Sequence, residues 1–309
     1  MRSIIAAIRS EPWAIVPEWL DAIEAIAARV EAGEAINRVA NDGHAQRHEA
    51  FMAAAGERVA GTRSAIMAAD GIAMVPMIGP IMPRITLMSD LSGGVSADAL
   101  AADLAALDGA KDIRRIMLVV DSPGGAVTGI ARLAAQIAAM KTPVTAHVEG
   151  SAASAAYWLI SQAREISIDP TGQVGNLGIV MSGRKQEAPN SQGERSYEVV
   201  SSNAAAKRPD LASEDGQALI RAVTDAIENE FFSAVARGRG VSEATVIRDF
   251  AAAYLHVGAN AKQIGMADRV EFRADALNRL AKQIAPTPPR RTTASAKTAV
   301  AHLRASLNH

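Results

Sequence analysis

The chain has 309 residues, 49% of them hydrophobic, with 33 acidic against 32 basic side chains and a formal net charge of −1. That length and apolar content support one large α/β domain with appendages or two smaller ones, and the balanced charge excludes a chain-wide field able to recruit nucleic acid or an anionic membrane. The absence of cysteine excludes disulfides, thiolate nucleophiles and Cys-type zinc sites, and is compatible with a reducing compartment.

The first thirty residues carry apolar patches broken by Arg9, Glu11, Pro12, Glu18 and Asp21. They make neither a secretory leader nor a membrane span, and no later run reaches the roughly eighteen apolar residues a span needs. The expectation is a soluble chain with no membrane anchor. Trp19, Leu20, Ile23, Ile26 and Val30 recur at helical spacing, which predicts an amphipathic helix, and residues 1–65 read as a helical preface. GIAMVPMIGPI, from Gly71, is a short β-rich run closed by Gly-Pro; an Ala-rich helix that Ser96 could cap follows the LSGGVS segment.

From there strand and helix alternate: IRRIMLVVDS, AVTGIARLAAQIAAM, PVTAHVEG, SAASAAYWLISQA and EISIDP. Such βαβ units predict a largely parallel sheet, with short apolar strands at Ile116–Val120 and Val144–Val148 covered on both faces. A long helix is predicted at about Ser213–Arg237, a shorter one from Ser242, then a helix-turn-strand ending in AAAYLHVGANAKQIGMADRV. Residues 286–309 open with three prolines in four positions and carry four Lys or Arg and no acidic side chain. They read as a flexible basic tail, or as a contact segment that orders on a partner.

Two strand-to-helix junctions could carry chemistry. In LVVDSPGGAVTG, Gly124 and Gly125 let the backbone approach a ligand and leave amide groups able to face negative charge, as an oxyanion hole does; the alternative is a plain tight turn. In GSAASAAYWL, one βα unit later, Ser151 is placed to cap the helix. Ser154 lies among alanines in its first turn, where the amide of Ala155 could join the Gly124-Gly125 turn around an oxyanion. A serine nucleophile needs a base. Of the six histidines, His147 alternates with apolar strand neighbours and reads as sheet packing, and none of the others has an acid partner by motif. Lysines are few, seven against twenty-five arginines, and Lys207 in SSNAAAKRPD stands in a small-residue context suited to burial. A lysine acts as a base near neutral pH where burial lowers its pKa by about three units, roughly 4 kcal/mol; a solvated loop lysine is the other reading.

Together these pieces resemble the Ser/Lys peptidase family of signal peptide peptidase A and the phage head-assembly proteases. The resemblance spans about residues 70 to 272: DSPGG, AASAAYW at the family's nucleophile, DPTGQVGNLGIV at its T-x-VGSIGV run, and Lys207, which lies 53 residues beyond Ser154. ENEFFSAVARGRG and GANAKQIGMADRV resemble the family's later helix and closing segment. The Pro12-Trp13-Ala14-Ile15 run of the preface resembles the phage branch. The resemblance implies an α/β crotonase/ClpP-like fold, with the peptidase domain at 66–285. It implies Ser154 as nucleophile, Lys207 as general base, and Gly124, Gly125 and Ala155 as the oxyanion hole. Asn176 stands where relatives have a Ser that helps hold the lysine, and an Asn carbonyl could accept the same bond.

The implied activity is a serine endopeptidase needing no cofactor and no metal. Its expected substrates are scaffold, portal or major capsid proteins, met in the host cytoplasm inside an assembling phage prohead. Relatives form rings whose substrate groove is completed by neighbours, so a homo-oligomer is expected. Two alternatives remain: a catalytically inactive assembly platform, which the Asn176 departure keeps open, and a bacterial cytosolic protease, either of the signal-peptide-peptidase type or of the Clp type. The Clp type predicts a His soon after the serine helix, and residues 163–200 contain none.

Overall fold

The computed structural model describes residues 4–34, 43–54, 56–69, 71–84, 94–182, 200–202, 204, 207–251 and 253–284. The expected basic tail at 286–309 lies outside the described residues. The centre is an eight-stranded sheet, which bears out the expected α/β class. Strands β2 (Ile66–Ala69), β3 (Ile72–Ile78), β6 (Arg115–Ser122), β8 (Val144–Ala153), β10 (Gln173–Gly175) and β11 (Leu255–Val257) follow the order β11-β10-β8-β6-β3-β2. The strands β9 (Glu165–Ile168) and β12 (Arg269–Val270) extend it from β8. The pairings β3–β6, β6–β8, β8–β9 and β8–β10 are parallel.

Alternation along β6 shows why the sheet is buried on both faces. Ile116, Leu118 and Val120 join one core with Leu100, Leu104, Leu133 and Ile137 of helices α4 (Ala97–Leu107) and α5 (Ile130–Ala139). Met117 and Val119 join another with Phe51 of α3 (Gly43–Ala54) and Ala276 and Leu280 of α9 (Arg273–Ile284). A period of two sends successive side chains to opposite layers, so an eight-residue strand needs almost no polar position. Ser96 caps α4 as expected, accepting from the Ala99 amide at 3.2 Å.

The short helix α6 (Ala155–Ile160) is wholly buried, and the 26-residue helix α7 (Glu214–Arg239) packs its C-terminal half on it. Trp158 stacks on Phe231 with ring centroids 4.7 Å apart. Helix α7 begins with Glu214 and Asp215 behind a Ser213 cap and ends with Arg237 and Arg239 before Gly240, charges that complement its dipole at both ends. Between α7 and α9 lie a helical turn at Glu243–Thr245 continuing as a π-helical turn at Val246–Phe250, then β11, the helix α8 (Gly258–Gln263) and β12.

His147, expected to pack in the sheet, is fully buried, with Nδ1 2.9 Å from Ser167 Oγ and Nε2 3.1 Å from Asp169 Oδ1. Burial lowers its pKa below the ordinary 6.5, and Asp169 partly offsets this. A histidine more easily protonated in the unfolded chain contributes stability that is fully present above about 6.5 and lost as pH falls through its lower folded value. His147→Gln is therefore expected to cost about 1–3 kcal/mol at pH 7.5 by disturbing Ser167 and Asp169. It should also flatten the wild-type loss of stability between pH 7.5 and 5.5, as read by urea unfolding at both pH values.

The expected helical preface also contains a strand. Helices α1 (Ile4–Ser10) and α2 (Pro17–Glu31) flank a strand, β1 (Trp13–Ile15). Strand β1 joins a second sheet of order β1-β7-β4-β5, where β7 is Gly124–Ala126, β4 is Ile81–Met82 and β5 is Val95–Ser96. Ile8, Trp13, Ile15, Leu20, Ile23 and Ala27 form a separate apolar cluster with Met82 and Ala126.

Candidate active site

The site begins where β6 and β8 lose step. Val120 pairs with Val148 and Ser122 with Ala152, so two residues of β6 are matched by four of β8. Across this bulge the Asp121 carboxylate substitutes for a backbone acceptor, taking the Ser151 amide at 3.0 Å. Gly150 is required beneath it, because a side chain there would overlap Asp121 Oδ1. Arg47 Nε lies 2.6 Å from Asp121 Oδ2.

Strand β8 continues to Ala153, held by parallel pairing of Ser151, Ala152 and Ala153 with Gln173, Val174 and Gly175. This corrects the expectation that Ser151 caps the helix: Ser151 is a strand residue, and Ser154 occupies the cap position with no side-chain cap bond. Ser154 has φ 51° and ψ −117°, a conformation costing a non-glycine residue about 1–3 kcal/mol. The Gly175 carbonyl holds it by accepting its amide at 2.8 Å. The hydroxyl donates only a long 3.4 Å bond to the Gly178 carbonyl, and the residue is 1% exposed.

The Gly124 turn lies against this serine. Gly124 has φ +100°, and a side chain on it would start 3.0 Å from the Ala153 carbonyl and 3.1 Å from Ile15 Cα, overlapping the Ala14 carbonyl. Ala155 opens α6, where the first amides of a helix lack intrahelical acceptors. Gly125 is paired with Ala14 of β1 and Ile81 of β4. Ser154, Gly124 and Ala155 are thus brought together, while Gly125 is a ladder residue in this conformation.

Two other candidates show no side-chain bond to the serine among the described residues. Lys207 is exposed, and no hydrogen bond or ion pair among the described residues joins it to Ser154. Asn176 has φ 52°, donates its side-chain amide to the Ala253 carbonyl at 3.1 Å and its backbone amide to Tyr254 at 2.8 Å. Sequence reasoning missed Gly178, whose carbonyl receives the Ser154 hydroxyl, and Asp121, which sets the β8 bulge. Beside Gly178 lies Glu228, 3.6 Å from where a Gly178 side chain would begin, its carboxyl pushed up by burial and then by Asp225. Among the described residues no three His, Asp or Glu groups stand close enough to hold a metal ion. None of the described helices is long and apolar enough to cross a membrane.

A buried serine on a strained strand-to-helix turn, facing a glycine turn from the neighbouring parallel strand, is an arrangement of serine peptidases. The model of peptidase family S49 matches residues 136–285 and that of Clp protease residues 82–167. The chain is thus similar to the S49 peptidases over its C-terminal half, and the Clp protease match bears out the expected crotonase/ClpP-like fold class. It is 31% identical to the head-tail preconnector protein GP5 of Enterobacteria phage P21 over 37% of this chain and 23% of that protein. It is 22% identical to a putative signal peptide peptidase SppA of Enterococcus faecium over 56% of this chain and 52% of that protein. With the capsid assembly protease C of Escherichia phage lambda it shares 27% identity over 67% of this chain and 48% of that protein. The chain thus spans about half the length, or less, of these relatives.

Proposed function

We propose that the chain is a serine endopeptidase in which Ser154 is the nucleophile and Lys207 the general base. In this reading it acts during assembly of a phage head, in the host cytoplasm, on scaffold, portal or capsid protein. The observation that carries it is the strained conformation of Ser154 beside the Gly124 turn, since strain of this kind persists where function requires it. The lysine amine takes the proton from Ser154 Oγ as that oxygen attacks a peptide carbonyl carbon. The amides of Gly124 and Ala155 receive the oxyanion, with Gly125 joining once its ladder opens. Collapse of the intermediate expels the amine, which takes the proton from the lysine, and water hydrolyses the acyl-enzyme. In this reading residues 66–285 carry the chemistry.

Fluorophosphonate labelling followed by peptide mapping tests the nucleophile. A label on Ser154 supports the reading, and a wild-type chain that stays unlabelled while it cleaves its protein substrate overturns it. The relatives' phage-head setting makes self-association part of the proposal, and a Lys207 displayed on the surface suits delivery to the serine of a neighbouring copy. Lys207→Ala is expected to remove activity by about 10³-fold while changing stability by less than about 0.5 kcal/mol, as for an exposed substitution away from packing. Mixing Ser154→Ala and Lys207→Ala chains should restore cleavage; recovery no greater than the sum of the two separate chains would rule out delivery from a neighbour.

A further inference from the structure

We infer that the groove beside Ser154 is a slot for an extended peptide and that this chain's own Pro12–Val16 segment fills it, so the nucleophile is self-covered until that segment is displaced. The inference rests on the peptidase reading of Ser154 and adds the occupant and its control to it. The segment is hydrogen-bonded along both edges. On one side Trp13, Ala14 and Ile15 pair antiparallel with Ala126, Gly125 and Gly124, bracketed by Val16 N–H to the Pro123 carbonyl and Val127 N–H to the Pro12 carbonyl, each at 3.0 Å. On the other side Trp13 and Val180 exchange both backbone bonds, at 2.9 and 2.8 Å. Val180 lies two residues beyond Gly178, the residue whose carbonyl receives the Ser154 hydroxyl. Peptides add to exposed strand edges in this way, and here the two edges belong to the glycine turn and to the chain just beyond Gly178.

Burial and packing agree. Ser154 sits at the end of a strand, where solvent could reach it, yet is 1% exposed. Ala14 alone of the three β1 residues turns into the main core; Trp13 and Ile15 turn outward into the cluster supplied by α1 and α2. Residues 4–34 therefore have an apolar cluster of their own, shared with Met82 and Ala126, and of β1 only Ala14 leaves the main core if the segment swings away. Among the described residues, side-chain bonds from residues 4–34 to the body include Thr128 Oγ1 to Glu11 at 2.7 Å and Ser182 Oγ to Glu24 at 3.1 Å. The occupant also states what the slot accepts: an extended backbone with a small residue facing the body and larger apolar residues on either side. A tethered occupant competes at an effective concentration on the order of millimolar, so a free peptide enters only when the segment is loosened.

The absence of native cysteine gives a direct test. Antiparallel residues that exchange both bonds lie about 5.5 Å apart at Cα, within disulfide reach, so Trp13→Cys with Val180→Cys can be locked by oxidation and freed by dithiothreitol in the full chain. Freed, the pair lacks the Trp13 anchor and the strand is looser than in wild type. Two readouts are taken: binding of a fluorescein-labelled peptide Glu-Pro-Trp-Ala-Ile-Val-Pro by anisotropy, and fluorophosphonate labelling of Ser154. The expected order for both is freed variant, then wild type, then locked variant, with at least about tenfold between the extremes. Equal peptide binding in locked and freed forms, or no binding in the freed form, overturns the self-covered slot. Failure of Ser154 to label in any form, with peptide binding still ordered as above, overturns the serine peptidase reading and leaves the slot standing. Normal labelling that ignores the lock does the reverse.

Discussion

Replacing Ser154 by glycine is expected to abolish activity and to stabilise the protein. The conformation at φ 51° and ψ −117° is open to glycine and costs a residue with a Cβ about 1–3 kcal/mol. Glycine gives back about 0.5–1 kcal/mol through its freer unfolded chain. The hydroxyl offers little to lose, since it makes no cap bond and only the 3.4 Å contact with Gly178. A net gain of about 1 kcal/mol should therefore raise Tm by a few degrees in a domain of this size. Ser154→Ala keeps the Cβ and the strain, so its Tm should match wild type, while both variants lose cleavage by about 10³-fold or more. Calorimetry on the three chains separates the effects. A Ser154→Gly chain that melts below Ser154→Ala would show that the turn is not strained.

Gly125→Ala is expected to be among the most damaging single changes to the fold. The new Cβ would fall on the Ile81 carbonyl, with Ile81 C and Cα at 2.6 and 2.7 Å, and these are backbone atoms of a paired strand that no side-chain rotation moves aside. Relief requires β4 to part from β7, which also separates the glycine turn from its support. A loss of about 3 kcal/mol or more is expected by urea unfolding, at the severe end of overpacking, together with loss of Ser154 labelling. A variant as stable as wild type would mean that β4 does not approach β7 so closely.

Much of the framework was legible because it is local. The βαβ alternation, the cap at Ser96, the start of the long helix at Ser213, and the glycine turn after the apolar run Ile116–Val120 each announce themselves within about ten residues. What escaped depends on partners distant in sequence. Trp13–Ile15 lies between two helices and is a strand only because residues 124–126 and Val180 supply its edges. The local trace is its bracketing by Pro12 and Pro17, with Pro17 at the first position of α2. GSAAS reads as the start of a helix by composition, yet pairing with β10 extends the strand to Ala153 and moves the helix start past Ser151, a tertiary override of a weak local preference. The small residues around Lys207 suggested burial, but the residue is exposed, since small neighbours are as much at home at a surface as in a core.

The bulge opposite Asp121 also governs which changes of length the site can tolerate. Between Val148 and Ala152 the strand carries two residues more than its partner, an even number, so Val120, Val148 and Ala152 all still face the same core. Because side chains alternate with a period of two, gaining or losing a pair of residues there preserves which face every later side chain takes. A single-residue insertion or deletion inverts them all, turning Ala152 out of the core and Ser154 away from Gly178. A change of length in the GSAAS stretch is thus limited by parity before it is limited by chemistry.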